Sequence, residues 1–322
     1  MCREFIVDEI EEEIEALTFH FNEFKDEFIL TVNSSSIKFM KCDSEFDVKP
    51  NEWLKHAHHN GKIHEPGMVA VLSFLSKKLN KKVIFYDIGA LFGYFSSIVK
   101  AMFTDSRIVL IEGNPLSSRC IKKISPQLSS DEVLNVVLGD KEKITNYLVS
   151  GFTFIDKESK IIAERFRVWS RNQIKALLNF FGKNYQLRKV YSYNIKQVTI
   201  PNIFKEKEST HVEIFKLDAE GNQCRFLPPF INELCSRNPI VLLEMEHSHL
   251  MASFGMTNNE ILQLFLNRGY VCYWLNHRAP SKVKRIFKIS KEEDTNSLLV
   301  LIPKVTAEEI STVIKEKLKI NE

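Results

Sequence analysis

Hydrophobic runs that stop at an acidic residue are the most regular feature of this chain. Residues 83–88 are apolar or aromatic apart from Asp87, glycines follow at positions 89 and 93, and apolar residues then recur at helical spacing. This order predicts a strand, a tight turn and a helix. The turn should present backbone N–H groups and a helix N-terminus to a ligand, because Gly89 and Gly93 allow close approach without a Cβ.

Six further apolar runs predict the other strands of one sheet. Helical patterns separate the earlier runs, which is typical of parallel α/β sheets, whereas only a charged linker at residues 282–294 separates the last two. The last two strands should therefore pair antiparallel, and the linker should be solvated. The sequence predicts an α/β fold with a mostly parallel seven-stranded sheet. The six runs are residues 107–112, 133–138, 212–217, 240–244, 271–275 and 297–302.

The segment before this sheet has a different pattern. Residues 5–24 carry apolar side chains at helical spacing and predict a helix with an acidic outer face. Residues 28–32 and 37–40 flank a serine-rich turn and predict a hairpin. Four histidines follow, and their spacing favours a polar loop over a cofactor rather than a zinc site, so no metal is predicted. They are His56, His58, His59 and His64.

These patterns divide the chain into three units with one insert. We predict an N-terminal accessory helix and hairpin over residues 1–63, a main domain over residues 64–304 and a C-terminal helix over residues 305–322. An insert at about residues 150–195 contains a basic and aromatic segment. Its side chains could stack on sugar rings or hold an anion, or the segment could be an amphipathic helix packed on the core.

Composition narrows the class of protein. Among 322 residues, 44 basic and 41 acidic side chains leave a formal charge of +3, so nucleic acid is not the expected partner. The six cysteines include no C-x-x-C pair, which argues against a disulfide framework and favours reduced thiols. No run of 18 apolar residues occurs, and the first residues lack a secretory pattern. We therefore expect a cytoplasmic protein that acts on a small molecule.

Acids at the ends of successive strands indicate the ligand. The D-x-G-x-x-x-G spacing from Asp87 to Gly93 differs from the G-x-G-x-x-G of dinucleotide-binding proteins. Asp87 suits a cationic amino group, and Glu112, at the end of the next strand, suits ribose hydroxyls. Together they favour S-adenosylmethionine over NAD. Asp140, after the third strand, is a candidate for the adenine amino group, although acids are also common in turns.

Further acids follow the fourth and fifth predicted strands. Asp218 and Glu220 end the fourth, and Glu244 and His247 end the fifth. The carboxyl ends of neighbouring parallel strands share one edge of a sheet, which is where open α/β sheets bind ligands. A hydroxyl acceptor must lose its proton during methyl transfer, so we predict these four residues to be catalytic and Asp218 or Glu220 to be the base. Roles in turns or helix caps are the alternative for both acids.

Three motifs resemble those of the FkbM-type methyltransferases. Residues 87–93 (D-I-G-A-L-F-G) are similar to their D-I-G-A-x-x-G, and residues 112–115 (E-G-N-P) are similar to their E-P-N-P. Residues 216–223 (K-L-D-A-E-G-N-Q) are similar to their K-I-D-x-E-G-x-E. The resemblance covers about residues 64–250 and implies the class I methyltransferase (Rossmann-like) fold. It also implies S-adenosylmethionine-dependent methylation of a hydroxyl on a sugar, glycan or related small metabolite.

Two other functions stay open at this point. The basic insert and the lysines within residues 282–288 suit an RNA methyltransferase. Departures from the family pattern at Leu91 and Gln223 suit a non-catalytic module that keeps the fold and binds a metabolite or partner. The predicted cofactor-binding residues are Glu65, Asp87, Gly89, Ala90, Gly93, Glu112, Asn114, Asp140 and Asp218.

Overall fold

The structure, a computed structural model, describes residues 5–42, 49–150, 153–156, 190–206, 211–294 and 297–320. Within these ranges the chain forms fifteen strands and ten α-helices. The strands are β1 (Phe19–Glu23), β2 (Glu27–Val32), β3 (Ser35–Met40), β4 (Lys82–Ile88), β5 (Ser106–Ile111), β6 (Glu132–Leu134), β7 (Val136–Leu138), β8 (Lys143–Ser150), β9 (Thr153–Asp156), β10 (Tyr191–Val198), β11 (His211–Leu217), β12 (Ile240–Met245), β13 (Tyr270–Asn276), β14 (Val283–Ile286) and β15 (Ser297–Pro303). The helices are α1 (Phe5–Ala16), α2 (Pro50–Ala57), α3 (Pro66–Lys78), α4 (Tyr94–Met102), α5 (Pro115–Ile124), α6 (Ile200–Ile203), α7 (Gln223–Ser236), α8 (Ser248–Ser253), α9 (Asn258–Leu266) and α10 (Lys304–Ile320).

Eight strands form one central sheet in the order β14-β13-β15-β12-β11-β4-β5-β6. Five neighbouring strands, β12, β11, β4, β5 and β6, pair parallel, whereas the pairings of β15 with β12 and of β13 with β15 and β14 are antiparallel. The predicted α/β fold is confirmed, including the antiparallel pairing of the last two predicted strands. The chain builds outward from β4 through β5 and β6 on one side, and later through β11 and β12 on the other. Sheets with such a reversal bind ligands at the carboxyl ends of the strands where the order reverses.

The eighth strand, β14, corrects the predicted number of seven strands. Residues 282–294 were expected to be a solvated linker, but Val283 and Ile286 are buried against β13. The two residues between them are basic and exposed. Because these residues belong to a charged run, the two apolar positions on either side of them do not form a recognisable strand pattern in the sequence.

The third predicted strand is divided between two sheets. Residues 133–138 were expected to form one strand, but the chain changes sheet at Asn135. β6 joins the central sheet, and β7 joins a second sheet with the order β7-β10-β8-β9. The Asn135 side chain donates hydrogen bonds to the carbonyl oxygens of Glu112 (2.8 Å) and Gly113 (3.0 Å), which holds the crossing point beside the end of β5.

The first predicted helix is shorter than its apolar stripe. It ends at Ala16, and Phe19–Glu23 forms β1, which pairs antiparallel with β2. Phe19 and Phe21 are half-buried, whereas His20 and Asn22 are exposed, which is the alternation of a strand. Over so few residues the positions of the apolar side chains also agree with a helical spacing. The hairpin of β2 and β3 is confirmed.

Each face of the central sheet carries its own hydrophobic core. On one face, alternate residues of the strands pack with α1, β2, α3 and α4. We call this the α3 face. On the other face, the intervening residues pack with α7 and α9. Because both faces are covered, the parallel strands are continuous apolar runs rather than alternating ones.

The basic segments predicted from the sequence are only partly described. The basic and aromatic part of the insert, at residues 165–181, lies outside the described residues. Within the lysine run of residues 282–288, Lys284 lies 3.5 Å from the Glu293 carboxylate and so has an acidic neighbour. None of the helices in the described ranges has the length and apolar character needed to cross a lipid bilayer.

A buried ion pair ties α7 to the sheet on the face opposite α3. Glu213 of β11 is 0% exposed, and Arg237, at the end of α7, donates to its carboxylate from Nε (2.8 Å) and Nη2 (2.5 Å). The Tyr86 hydroxyl of β4 donates to the same carboxylate at 3.1 Å. A buried carboxylate that loses its cation is left desolvated without compensation.

Replacing Arg237 by Met should therefore lower the free energy of unfolding by about 3–5 kcal/mol. Guanidinium denaturation followed by circular dichroism measures the change. The double variant Glu213→Gln, Arg237→Met is the control and should be more stable than Arg237→Met alone, because no buried charge remains. Equal losses in the two variants would show that the charge is not what makes Arg237 necessary.

Candidate active site

Polar residues replace apolar ones at the carboxyl end of the α3 face. Alternate positions of β4 and β11 on this face are apolar until the last, which is Asp87 in β4 and Lys216 in β11. The same alternation leads to Glu112 after β5, Glu244 in β12 and His277 after β13. The side chains of these five residues therefore share one end of one face.

Lys216 is the centre of this group. It pairs in register with Asp87 of the neighbouring strand, and its Nζ lies 3.3 Å from Asp87 Oδ1 and 3.4 Å from Asp218 Oδ2. Burial alone would lower the pKa of Lys216, but the charges of Asp87, Asp218, Glu244 and Glu65 raise it. Lys216 is therefore a permanent cation and not a candidate base.

Asp87 is turned towards protein groups. Its side chain is buried, and Oδ2 accepts a hydrogen bond from Ser96 Oγ at 2.7 Å while Oδ1 faces Lys216. These contacts connect the end of β4 to α4 and to β11. An effect of Asp87 on a cofactor amino group would pass through these neighbours.

The loop after β4 passes very close to the end of β11. Gly89 has a φ of +79°, and a Cβ at this position would lie 1.9 Å from the Asp218 carbonyl oxygen. Ala90 and Gly89 donate their N–H groups to Ile111 O at 3.2 and 3.0 Å. Gly93, with a φ of +73°, stands immediately before α4. Only glycine fits this path at position 89, because both the sign of φ and the contact exclude a side chain.

Glu112 is buried beneath this loop. One carboxylate oxygen accepts from the Leu91 N–H and the other from the Asn114 N–H, both at 2.7 Å. Burial raises the pKa of Glu112 to about 7, although these two hydrogen bonds lower it in part. The Asn114 side chain caps α5 by accepting from the Leu116 N–H at 3.0 Å. Asn114 thus has a structural role in addition to any contact with a cofactor.

Asp218 and Glu220 lie on the open side of the crevice. Their carboxylates and that of Glu246 come within 4.8 Å of one another. The Asp218 side chain keeps 28% of its surface exposed, and Glu220 is exposed with a φ of +50°. Burial, partly offset by Lys216, raises the pKa of Asp218.

The two residues predicted at the end of β12 lie in different environments. Glu244 faces the crevice, and its Oε1 lies 3.6 Å from His277 Nε2. Burial and the nearby Asp218 and Glu65 raise the pKa of Glu244 well above its usual range. His247 is exposed and stands before α8.

Glu65 enters the crevice from α3. It is buried, has a φ of +47°, and precedes the first residue of that helix. Its Oε1 lies 3.2 Å from His64 Nε2. Burial disfavours the Glu65 carboxylate, but the contact with His64 and the charges around it lower its pKa to about 2.

The four histidines do not form the polar loop that the sequence predicted. His56 lies in α2 and His59 in a short 3₁₀ turn, while His58 is buried and stacks on Phe21 at 4.3 Å between centroids. His64 alone reaches the crevice, through Glu65. Its ring packs against Trp53 of α2 (4.9 Å) and Tyr94 (5.6 Å).

Asp140 lies apart from the buried group. It is exposed after β7, and its Oδ1 accepts from Gln197 Nε2 at 3.3 Å. The end of β7 is nevertheless fixed to the crevice, because Asn222 Nδ2 donates to Leu138 O at 2.8 Å. A contact of Asp140 with an adenine ring stays a prediction.

Comparison with known proteins identifies the family. The family described as the methyltransferase FkbM domain matches residues 87–272, more than half of the chain. The chain belongs to the FkbM methyltransferase family. As a member, it is an S-adenosylmethionine-dependent methyltransferase. A search of curated proteins found no match.

Solved methyltransferase structures also resemble this FkbM methyltransferase, at low similarity. A precorrin-6y C5,15-methyltransferase from Geobacter metallireducens has 12% identity, with 81% of this chain and 94% of that chain covered and a TM-score of 0.32. A SAM-dependent methyltransferase from Agrobacterium tumefaciens has 8% identity, with 88% and 71% covered and a TM-score of 0.32. TM-scores this low say nothing about substrate.

The charge of the crevice suits S-adenosylmethionine. Four carboxyl groups lie in the electrostatic surroundings of one ammonium, that of Lys216. A ligand with a net positive charge would offset the excess of acid. These four are Glu65, Asp87, Asp218 and Glu244.

Lys216 and His277 are the residues of this site that the sequence prediction missed, whereas His64 was expected near the cofactor but as part of a loop. Lys216 and His277 each continue an apolar alternation along a strand, at the position where the neighbouring strands carry acids. That signal was present in the sequence. His64 reaches the site through the packing of α2 on α4, which no local pattern indicates.

Gly89→Ala should destabilise the FkbM methyltransferase by about 3 kcal/mol or more, because strain from positive φ adds to the clash with Asp218 O. Gly269→Ala is the matched control. Gly269 has the same φ of +79°, but a Cβ there would meet nothing within 4 Å. It should cost only about 1–2 kcal/mol. Thermal denaturation compares the two variants, and equal losses would contradict the close approach.

Proposed function

We propose that this protein transfers a methyl group from S-adenosylmethionine to a hydroxyl oxygen of a sugar, glycan or related small metabolite. The observation that carries the proposal is that the Asp218 and Glu244 carboxyl groups gather beside buried Lys216 at the carboxyl end of the sheet, where burial raises the pKa of both. A carboxylate with a raised pKa is a stronger base. It can therefore accept the proton that a hydroxyl group loses when its oxygen is methylated.

The cofactor site in this proposal lies between β4, β5 and β11. The backbone of residues 89–93 would hold the amino-acid tail, and Glu112, whose carboxylate fixes the Leu91 N–H, would accept hydrogen bonds from the ribose hydroxyls. Lys216 holds Asp87 and Asp218 on either side of this path. S-adenosylmethionine, when bound, supplies a methyl group on a sulfonium that an oxygen nucleophile displaces in line.

The acceptor side in this proposal is the open edge at Asp218 and Glu220. Asp218 would accept the proton that the acceptor hydroxyl loses when its oxygen is methylated. Lys216, fixed 3.4 Å from Asp218, orients that carboxylate. Trp53 and His64 lie beyond Glu65, and their rings offer flat surfaces on which the apolar face of a sugar ring could pack.

The proposal is tested with S-adenosylmethionine labelled on its methyl group. The purified protein is incubated with free sugars, nucleotide sugars, oligosaccharides and phenols, and with amines and RNA as controls. Label should enter a hydroxyl compound of the first set. Label found only in amines or in RNA would contradict the proposal. Calorimetry without acceptor should show binding of S-adenosylmethionine, and absent heat at millimolar ligand would leave only a non-catalytic module.

Asp218→Asn should lower kcat by about 10²–10⁴-fold, because the base is lost while the shape is kept. The dissociation constant for S-adenosylmethionine should change by no more than a few fold. Glu220→Gln is measured in parallel, since the two acids are neighbours and both remain candidates. Unchanged turnover in both variants would remove them from the mechanism.

The affinity for S-adenosylmethionine should fall as the pH falls from 8 to 6. With a pKa of about 7, Glu112 goes from mostly ionised to mostly protonated over this range, and only the carboxylate accepts two ribose hydrogen bonds. The ionised fraction falls about tenfold, so a loss of affinity up to that size is expected. Calorimetry at several pH values measures it. In Glu112→Gln this part of the pH dependence should vanish, and an identical profile in both proteins would exclude Glu112.

A further inference from the structure

We propose that Glu65, Glu244 and His277 bind a divalent transition-metal ion of the Mn²⁺ or Zn²⁺ class at the acceptor side of the crevice. One ligand atom from each residue lies within 4.8 Å of the other two. His277 Nε2 lies 3.6 Å from Glu244 Oε1. Two ligand atoms about 2.1 Å from one ion lie roughly 3.0–3.4 Å apart at angles of 90–109°. An inward movement of about 1 Å by flexible side chains would therefore complete the site.

Two buried polar atoms in this group lack a hydrogen-bond partner. Glu65 is 6% exposed, and while its Oε1 faces His64, its Oε2 has no hydrogen-bond partner among the described residues. His277 is 1% exposed, and within the same ranges its Nδ1 has no partner either. Its Nε2 accepts a hydrogen bond from Arg278 Nε at 3.1 Å, so an ion bound through Nε2 would replace this guanidinium. Buried polar atoms are nearly always satisfied, and each exception needs an explanation such as an ion. A metal ion would satisfy the carboxylate oxygen of Glu65 directly.

The backbone holds the three ligands in place from different elements. The Gly67 N–H at the start of α3 donates to His277 O at 2.9 Å, and a Cβ on Gly67 would lie 2.8 Å from His277 Cα. After His277 the chain is fixed by Asn276 Oδ1, which accepts the N–H groups of residues 278 and 279 at 3.0 Å. Glu65 keeps a left-handed φ that costs free energy in a non-glycine residue. A ligand-binding role accounts for that strain.

The charges leave room for a dication. Four carboxyl groups surround Lys216, those of Glu65, Asp87, Asp218 and Glu244, and Arg278 adds a second cation beside His277. A divalent ion would offset the carboxyl groups that these two protein cations leave unpaired.

The donor set selects the kind of ion. An imidazole nitrogen favours first-row transition metals over Mg²⁺ and Ca²⁺, and two carboxylates suit Mn²⁺ and Zn²⁺. Three protein ligands leave a coordination position open, as in catalytic metal sites. That position could hold the acceptor oxygen. This last role rests on the proposed function, whereas metal binding itself does not.

A second acidic group serves as the internal control. Asp218, Glu220 and Glu246 also bring carboxylate oxygens within 4.8 Å, but this group lacks a histidine and is more exposed. If metal binds there instead, Glu220→Gln will weaken binding and Glu65→Gln will not. The two groups are therefore separable by single substitutions.

The experiment is titration of the metal-free full chain with MnCl₂, followed by electron paramagnetic resonance, and with ZnCl₂, followed by calorimetry. The wild-type protein should bind one ion. Glu65→Gln and His277→Asn should each weaken binding by about 100-fold or more, because a direct ligand matters more than the surrounding residues that cost 10–100-fold. Glu244→Gln is a third variant at a less buried position. Circular dichroism and thermal denaturation confirm that each variant is folded.

Three results would overturn the proposal: no binding of either ion by the wild-type protein at millimolar concentration, unchanged binding in every folded variant of the three ligands, or loss of binding in Glu220→Gln alone. Binding of S-adenosylmethionine is measured separately with EDTA present. Failure of the metal titration with normal cofactor binding would leave the proposed function intact. Metal binding without cofactor binding would support the metal site and contradict the proposed function.

Discussion

The buried contact between Lys216 and Asp87 is the interaction on which the site depends. The two residues face each other across adjacent parallel strands, and both are almost without solvent. Taking either charge out of water alone costs several kcal/mol, so the pair is stable only because each charge and its hydrogen-bond partners offset the other. Once fixed, Lys216 also draws Asp218 to 3.4 Å. Two strands and the loop beyond β11 are thereby locked at one point.

The loop after β4, residues 89–93, passes directly over the strand ends that Lys216 holds together. The chain leaving β4 passes so close to Asp218 O that residue 89 can have no side chain, and it then turns over Glu112 before α4 begins. The carboxylate of Glu112 holds the N–H groups of Leu91 and Asn114, so the loops after β4 and β5 are tied to one another. A cofactor would therefore meet a preorganised surface rather than two independent loops.

The sequence predicted the sheet well because its strands are buried on both faces. Continuous apolar runs ending in acids are hard to mistake, and Asp87, Glu112, Asp218 and Glu244 do meet at one end of the sheet. The sequence-based prediction was wrong where contacts between distant parts of the chain determine which strands form. The split at Asn135 depends on a second sheet, in which β7 pairs with residues of β10 that lie 60 positions later in the chain (Val136 with Lys196). β14 was hidden because only two of its side chains face the core.

The position of Glu65 and His277 suggests which part of the chain sets the choice of acceptor. The family match runs from residue 87 to residue 272, so both residues lie just outside it. Each is nevertheless buried, and the Gly67 N–H, two residues after Glu65, donates a hydrogen bond to His277 O. Residues 87–272 supply the sheet end, the glycine loop and Lys216, which suit the cofactor. The segment before the match, α2 and the start of α3, adds an aromatic and carboxylate wall on the side proposed for the acceptor. Differences in acceptor between such enzymes are therefore expected to arise from that segment, because a change there leaves the buried charges of the sheet untouched.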